Sequence, residues 1–167
     1  MRILYFGSCR FSRRVAEGIF PSALKNAAHL EVVVPKGTTD EQGKGMLEIE
    51  RFSRERGIRV HPVTFHDAGV NKGRSPFSWD VNTRDFDLGL VVSFGLFLPR
   101  RVIESFPMAC LNLHPSLLPD YRGAAPIARA LMDGQETSGL SVIDVHPEKF
   151  DHGRIWMQQS LASDLDE

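Results

Sequence analysis

A chain of 167 residues is the length of one domain, long enough to bury about two thirds of the surface that its unfolded form exposes. With 42% hydrophobic residues, 25% charged residues and a net charge of −1, it reads as a soluble globular protein, and no apolar run nears the roughly 20 residues needed to cross a bilayer, so no membrane partner is expected. Cys9 and Cys110 lie in separate apolar segments without CxxC spacing, which excludes a disulfide framework or a cysteine zinc site and suits a reducing compartment.

The charge is uneven. Residues 1–60 carry 11 basic and 7 acidic side chains, and residues 121–167 carry 4 and 8. The basic first third suits an anionic partner, although nucleic-acid domains usually show a stronger bias. The apolar run RILYF begins at residue 2, so no targeting segment precedes it. Either the protein stays where it is made, or the start of the chain is missing.

RILYF (2–6), short, apolar and followed by Gly7, predicts a buried strand entering a turn. Phe11, Val15 and Ile19 recur at helical spacing until Pro21 is expected to stop the helix. HLEVVV (29–34) predicts a second strand, and PKGTTDEQGKG (35–45) a polar loop. The stripe Met46, Leu47, Ile49, Phe52 predicts a helix over 46–57 stopped by Gly57, and a strand over IRVHPV follows. Residues 66–84 hold Gly, Asn, Ser and Pro without periodicity and read as an irregular connection.

LGLVVSF (88–94), continuously apolar between Asp87 and Gly95, is the clearest strand in the chain. PRRVIESF (99–106) predicts a helix opening on proline, ACLNLH (109–114) a buried strand, and APIARALMDG (125–134) a helix ending at Gly134. GLSVIDVH and RIWMQQSL close the chain as strands. This order predicts an α/β fold: a Rossmann-like, mostly parallel sheet flanked by helices, with antiparallel strands near the C-terminus. No internal repeat or low-complexity tract is visible.

Ligands of open parallel sheets sit at the carboxyl ends of the strands. Asn112 and His114 stand there, two residues apart, so both side chains point to one face. A satisfied polar pair in the core is the bland alternative. An amide donor beside an imidazole also suits oxyanion stabilisation and proton transfer. No nucleophile accompanies them, because Ser116 lies in a Leu-Leu-Pro context without a G-x-S-x-G elbow. The chemistry expected is attack by a substrate group on a bound carbonyl. A carboxylate to orient the imidazole could come from Asp144, in SVIDVH, or from Asp151, in KFDHG, where an aspartate before glycine is also a common turn former. The six histidines show no HxH or HExxH spacing, so no metal is expected. GSCRFS has one glycine where G-x-G-x-x-G is needed, so no NAD is expected.

RILYFGSCRFS, VVSFGLFLP, LNLHPSLLPDYRGAAPI and FDHGRI, in that order, resemble the formyltransferase family that uses 10-formyltetrahydrofolate. The resemblance covers nearly the whole chain, and RGAAPI favours the branch acting on methionyl-tRNA over the glycinamide-ribonucleotide branch, although sugar-nucleotide formyltransferases carry something similar. It implies that Asn112, His114 and Asp151 are catalytic, with 10-formyltetrahydrofolate as the formyl-donating co-substrate. It implies a folate site at Phe94, Gly95, Leu96, Phe97 and Leu98, and at Ser116, Leu117, Leu118 and Pro119. Arg10, Lys36 and Lys44 would meet the acceptor end of the initiator tRNA.

Residues 1–167 are expected to form one catalytic domain acting as a monomer, without the C-terminal tRNA-binding domain usual in that branch. HPSLLP and PEKFDHG resemble organellar versions, which implies a mitochondrial location, and otherwise a cytoplasmic one. The loop at 35–45 is acidic in its middle, where the bacterial pattern is more basic. Formyl transfer to a small amine such as an amino sugar nucleotide, and a truncated inactive folate-binding module, are the competing readings.

Overall fold

A computed structural model of the chain describes residues 1–26, 29–36, 45–65, 77–78 and 81–162. In chain order the elements are β1 (Arg2–Gly7), α1 (Arg10–Lys25), β2 (His29–Pro35), α2 (Glu48–Arg54), β3 (Arg59–Phe65), β4 (Phe77–Ser78), β5 (Leu88–Val92), α3 (Arg100–Ile103), β6 (Ala109–His114), α4 (Pro126–Met132), β7 (Thr137–Asp144) and β8 (Ile155–Ala162). They form one sheet in the order β4-β3-β2-β1-β5-β6-β7-β8. Strands β3, β2, β1, β5 and β6 run parallel, and β4, β7 and β8 add antiparallel pairings at the two sides.

The continuous apolar strands lie in the middle because both of their faces are covered. In β1, Ile3 and Tyr5 face α1 and α2 and pack with Val32, Val34, Phe20, Ile49 and Phe52. Leu4 and Phe6 face the other way, toward Val33, Val63, Phe94, Val102 and Phe106. Each such side chain, fully buried, contributes about 1.5–3 kcal/mol of transfer free energy. Tyr5 donates its hydroxyl to the Ser12 carbonyl at 2.7 Å, and burial pushes the phenol well above its usual range.

Helix α1 runs through Pro21, where the sequence predicts a stop. Pro21 lies on the exposed side, so the carbonyl it leaves unbonded one turn earlier can meet water. Phe20, wholly buried and edge-on to Tyr5 at 5.1 Å, anchors the last turn to the sheet. Asn26 closes that turn by donating to the Ser22 carbonyl from both its backbone and its side chain.

The other predicted helices are shorter than their windows. Gly57, at φ 68°, terminates the turn after α2. Pro99 caps α3 instead of opening it, and Ala125, at φ 50°, caps α4. The connection expected at 66–84 contains β4 and a 3-10 turn at Thr83–Asp85, while 66–76 and 79–80 lie outside the described residues, as does most of the loop expected at 35–45.

Gly89 in β5 has a mechanical reason. A Cβ there would meet the Phe106 ring at 2.7 Å, so that ring packs directly against the strand backbone. Strand β6 then leaves the parallel ladder at Val91↔Asn112, while on its other side the antiparallel ladder continues to His114↔Ser141. Asn112 and His114 are therefore held rigidly just where the parallel sheet ends. Among the described residues, no helix is long and apolar enough to cross a membrane.

Candidate active site

At the carboxyl ends of β5 and β6 lies a cavity of about 520 Å³, within the range typical of small-molecule sites. Its walls are Ser93–Leu98 after β5, Asn112–Pro115 at the end of β6, Gly123–Pro126 before α4, and the connection from Ile143 to Asp151, with Cys9 at the start of α1. Phe94, Leu96, Phe97, Leu98, Val145 and Phe150 make it largely apolar, and among its polar lining residues three side chains meet one another.

Those three are Asn112, His114 and Asp151. Asn112 Nδ2 donates to Asp151 Oδ1 at 2.9 Å, and the Gly123 backbone N–H donates to Asp151 Oδ2 at 2.8 Å. His114 Nδ1 stands 3.5 Å from Asp151 Oδ2. Both the His114 and Asp151 side chains are more than nine-tenths buried. Arg122 Nε donates to the Asp151 carbonyl at 2.9 Å, which helps hold that residue at φ 55°, a left-handed conformation uncommon outside glycine. Asp144, the alternative carboxylate, instead accepts from Trp156 Nε1 at 2.8 Å and lies 3.4 Å from Arg154 Nε.

The imidazole is held differently from the sequence expectation. His114 Nε2 lies 2.9 Å from the Tyr121 carbonyl, and a carbonyl only accepts, so Nε2 carries a hydrogen and is occupied. Nδ1 is the ring atom left for chemistry. A bare Nδ1 and a carboxylate oxygen repel each other, and one proton between them makes the contact attractive. The pair is arranged to hold and hand on a proton, while Asn112 keeps a second amide hydrogen and its own oxygen for a ligand.

Among the described residues, no Ser, Thr or Cys side chain is hydrogen-bonded to these three, although Cys9 and Ser93 line the cavity. The Ser116 hydroxyl is fully buried and donates to the Asp120 carbonyl at 2.7 Å. Burial pushes the Cys110 thiol up to about 12, so it stays protonated. Among the described residues, no group of three or more His, Cys, Asp or Glu side chains is placed to hold a metal ion.

Phe94, Gly95, Leu96, Phe97 and Leu98 all line the cavity. Ser116, Leu117, Leu118 and Pro119, assigned to the folate site by resemblance, do not. That stretch is a brace behind the site. Ser141 Oγ donates to the Ser116 carbonyl at 2.6 Å and accepts from the Leu118 N–H at 3.1 Å, and Gln158 Nε2 donates to the Leu118 carbonyl at 2.8 Å. The brace fixes the turn that presents the Tyr121 carbonyl to His114.

Arg10 is exposed and follows the cavity-lining Cys9, Lys36 is exposed at the end of β2, and Lys44 lies outside the described residues. The sequence reading places Arg122-Gly123 in the turn beside the site and does not single out Tyr121 or His146. Tyr121 meets His114 through its carbonyl, which leaves no side-chain signature, whereas RG after the prolines marks the turn that supplies the Gly123 N–H.

Residues 53–166 match the formyl transferase family, and the chain belongs to that family. It is 34% identical over 172 residues to the methionyl-tRNA formyltransferase of Parvibaculum lavamentivorans, an alignment covering 100% of this chain and 51% of that one. It is 29% identical over 171 residues to the mitochondrial methionyl-tRNA formyltransferase of Rattus norvegicus, covering 96% of this chain and 38% of that one. The chain thus spans about half the length, or less, of these curated relatives. In fold it is similar to the phosphoribosylglycinamide formyltransferase of Bacillus halodurans, with a TM-score of 0.73 at 16% identity, covering 100% of this chain and 82% of that one. It is also similar to a sugar 3N-formyltransferase crystallised in the presence of dTDP and 5-N-formyl-THF, with a TM-score of 0.61 at 17% identity, covering 98% and 53%.

Proposed function

We propose that this chain carries out formyl transfer from 10-formyltetrahydrofolate to the α-amine of methionyl-tRNA, the reaction that marks an initiator tRNA. The observation that carries this reading is the meeting of Asn112, His114 and Asp151 at a largely apolar cavity, with no Ser, Thr or Cys side chain bonded to the three among the described residues. Such a site suits direct attack of a substrate amine on a bound formyl carbon. The names of the whole-chain relatives favour methionyl-tRNA as the acceptor.

When bound, 10-formyltetrahydrofolate supplies the electrophilic formyl carbon. The segment 94–98 offers the apolar wall for its ring system. As the amine nitrogen bonds to that carbon, charge gathers on the formyl oxygen, and the second amide hydrogen of Asn112 donates to it. His114 Nδ1 and Asp151 hand the proton they share to the folate nitrogen as the old carbon–nitrogen bond breaks, and take in its place the proton that the amine releases. Tyr121 keeps Nε2 occupied throughout, so proton transfer stays on the Nδ1 side of the ring. Arg10 and Lys36 are candidates for the tRNA acceptor end. The mitochondrial relatives support an organellar location, which fractionation of cells expressing a tagged chain would test.

The decisive experiment offers an isotopically labelled formyl donor with charged initiator tRNA and, separately, with amino sugar nucleotides. Label on methionyl-tRNA is expected. Label on the sugar alone, or tight folate binding without transfer to any amine, would overturn the reading.

A further inference from the structure

We propose that His146 is a positioning residue that sets Asp151 by folding the loop that carries it; this rests on the formyl-transfer reading. Residues 145–154 join β7 to β8 without helix or strand. The base of the loop is pinned. Val145 N–H donates to the Cys110 carbonyl at 2.9 Å, and Asp144 N–H to the Arg154 carbonyl at 3.0 Å. Gly153 lies so close that a Cβ would stand 1.7 Å from the Asp144 carbonyl oxygen. The far end is held by Asn112, Gly123 and Arg122 on Asp151.

Between these anchors the chain turns on one ring atom. His146 Nδ1 accepts from the backbone N–H groups of Glu148 and Lys149, each at 3.1 Å. A ring nitrogen accepting two hydrogen bonds carries no hydrogen of its own. An acceptor two and three residues before its donors reproduces the pattern of an aspartate or asparagine turn. The turn brings Phe150 edge-on to Phe97 at 4.9 Å and delivers Asp151 in its left-handed conformation. His146 borders the cavity through this loop, and its Nδ1 is spent on the backbone.

The chemistry of that acceptor dictates the test. An asparagine oxygen at 146 reaches both N–H groups, whereas alanine has none and the longer glutamine displaces its own. With the full chain, His146→Ala and His146→Gln are expected to lower kcat for methionyl-tRNA formylation by about 10- to 100-fold, the effect of a displacement near 1 Å, with KM for the formyl donor changed by less than about threefold. His146→Asn is expected to stay within about threefold of wild type. A fully active His146→Ala, or a His146→Asn as impaired as the alanine variant, would overturn the assignment. The ¹⁵N resonances of the His114 ring, read without ligand, separate this proposal from the functional one. They are expected to shift in His146→Ala and return in His146→Asn even if the wild type acts on another amine. Unshifted resonances in the alanine variant would overturn the positioning role.

Discussion

Replacing Asp151 with asparagine preserves the side chain's shape while removing its charge and one acceptor oxygen. Asp151 accepts from Asn112 on Oδ1 and from Gly123 on Oδ2. In Asp151→Asn the new NH2 must face one of these donors. Turned toward Gly123, it opposes a fixed backbone N–H, leaving a buried donor unpaired at about 1–3 kcal/mol. Turned toward Asn112, it is tolerated only if Asn112 rotates its amide by half a turn. That rotation rescues the hydrogen bond but withdraws the hydrogen offered to the formyl oxygen, a loss of about 10²- to 10³-fold in rate. Removing the proton partner of His114 adds a factor of similar order. Single-turnover formyl transfer is therefore expected to slow by about 10³-fold or more, with urea stability lowered by no more than about 3 kcal/mol. A variant that keeps within about threefold of the wild-type rate would refute the role of the hydrogen-bonded trio.

Other perturbations probe the frame around the site. Ser141→Ala leaves the Leu118 N–H without its acceptor and the Ser116 carbonyl without a donor, so stability should fall by about 1–3 kcal/mol in urea titration; an unchanged midpoint would show that the brace is dispensable. Gly89→Ala forces a methyl group into the Phe106 ring and should cost about 1–3 kcal/mol, read in the same way. Burial alone would raise the Glu31 carboxyl, but hydrogen bonds from His61 and His29 outweigh it and hold the group below the usual glutamate range. Its folded pKa is depressed, so it stabilises the protein above the ordinary glutamate value and the contribution is lost as pH falls through the folded one. The stability gap between wild type and Glu31→Gln should accordingly be present at pH 7 and close in acid, and a pH-independent gap would contradict the linkage.

What could be read from the chain divides along physical lines. Strands β1, β2, β5 and β6 were legible because buried parallel strands are continuous apolar runs, and the shared face of Asn112 and His114 follows from the two-residue period of a strand. Pro21 misled because a proline's local cost is small on an exposed helix face when the preceding residue is anchored in the core. Ser116–Pro119 lie off this cavity, because a motif records that residues matter without saying whether they touch a ligand or hold the turn behind it. Tyr121 was invisible because it meets His114 through a carbonyl common to every residue. His146 was invisible because a histidine spaced alone gives no sign that its ring stands in for an asparagine.

Strand β8 forms one side of the sheet, and every one of its residues is exposed. The loop bearing Asp151 joins this outer strand to β7, while Asn112, Gly123 and Arg122 hold Asp151 from the other side. An opening of the β7–β8 pairing would release one end of that loop and leave those three hydrogen bonds in place. Asp151 is thus moored twice, once to the sheet's margin through its loop and once to the buried strand β6 through Asn112.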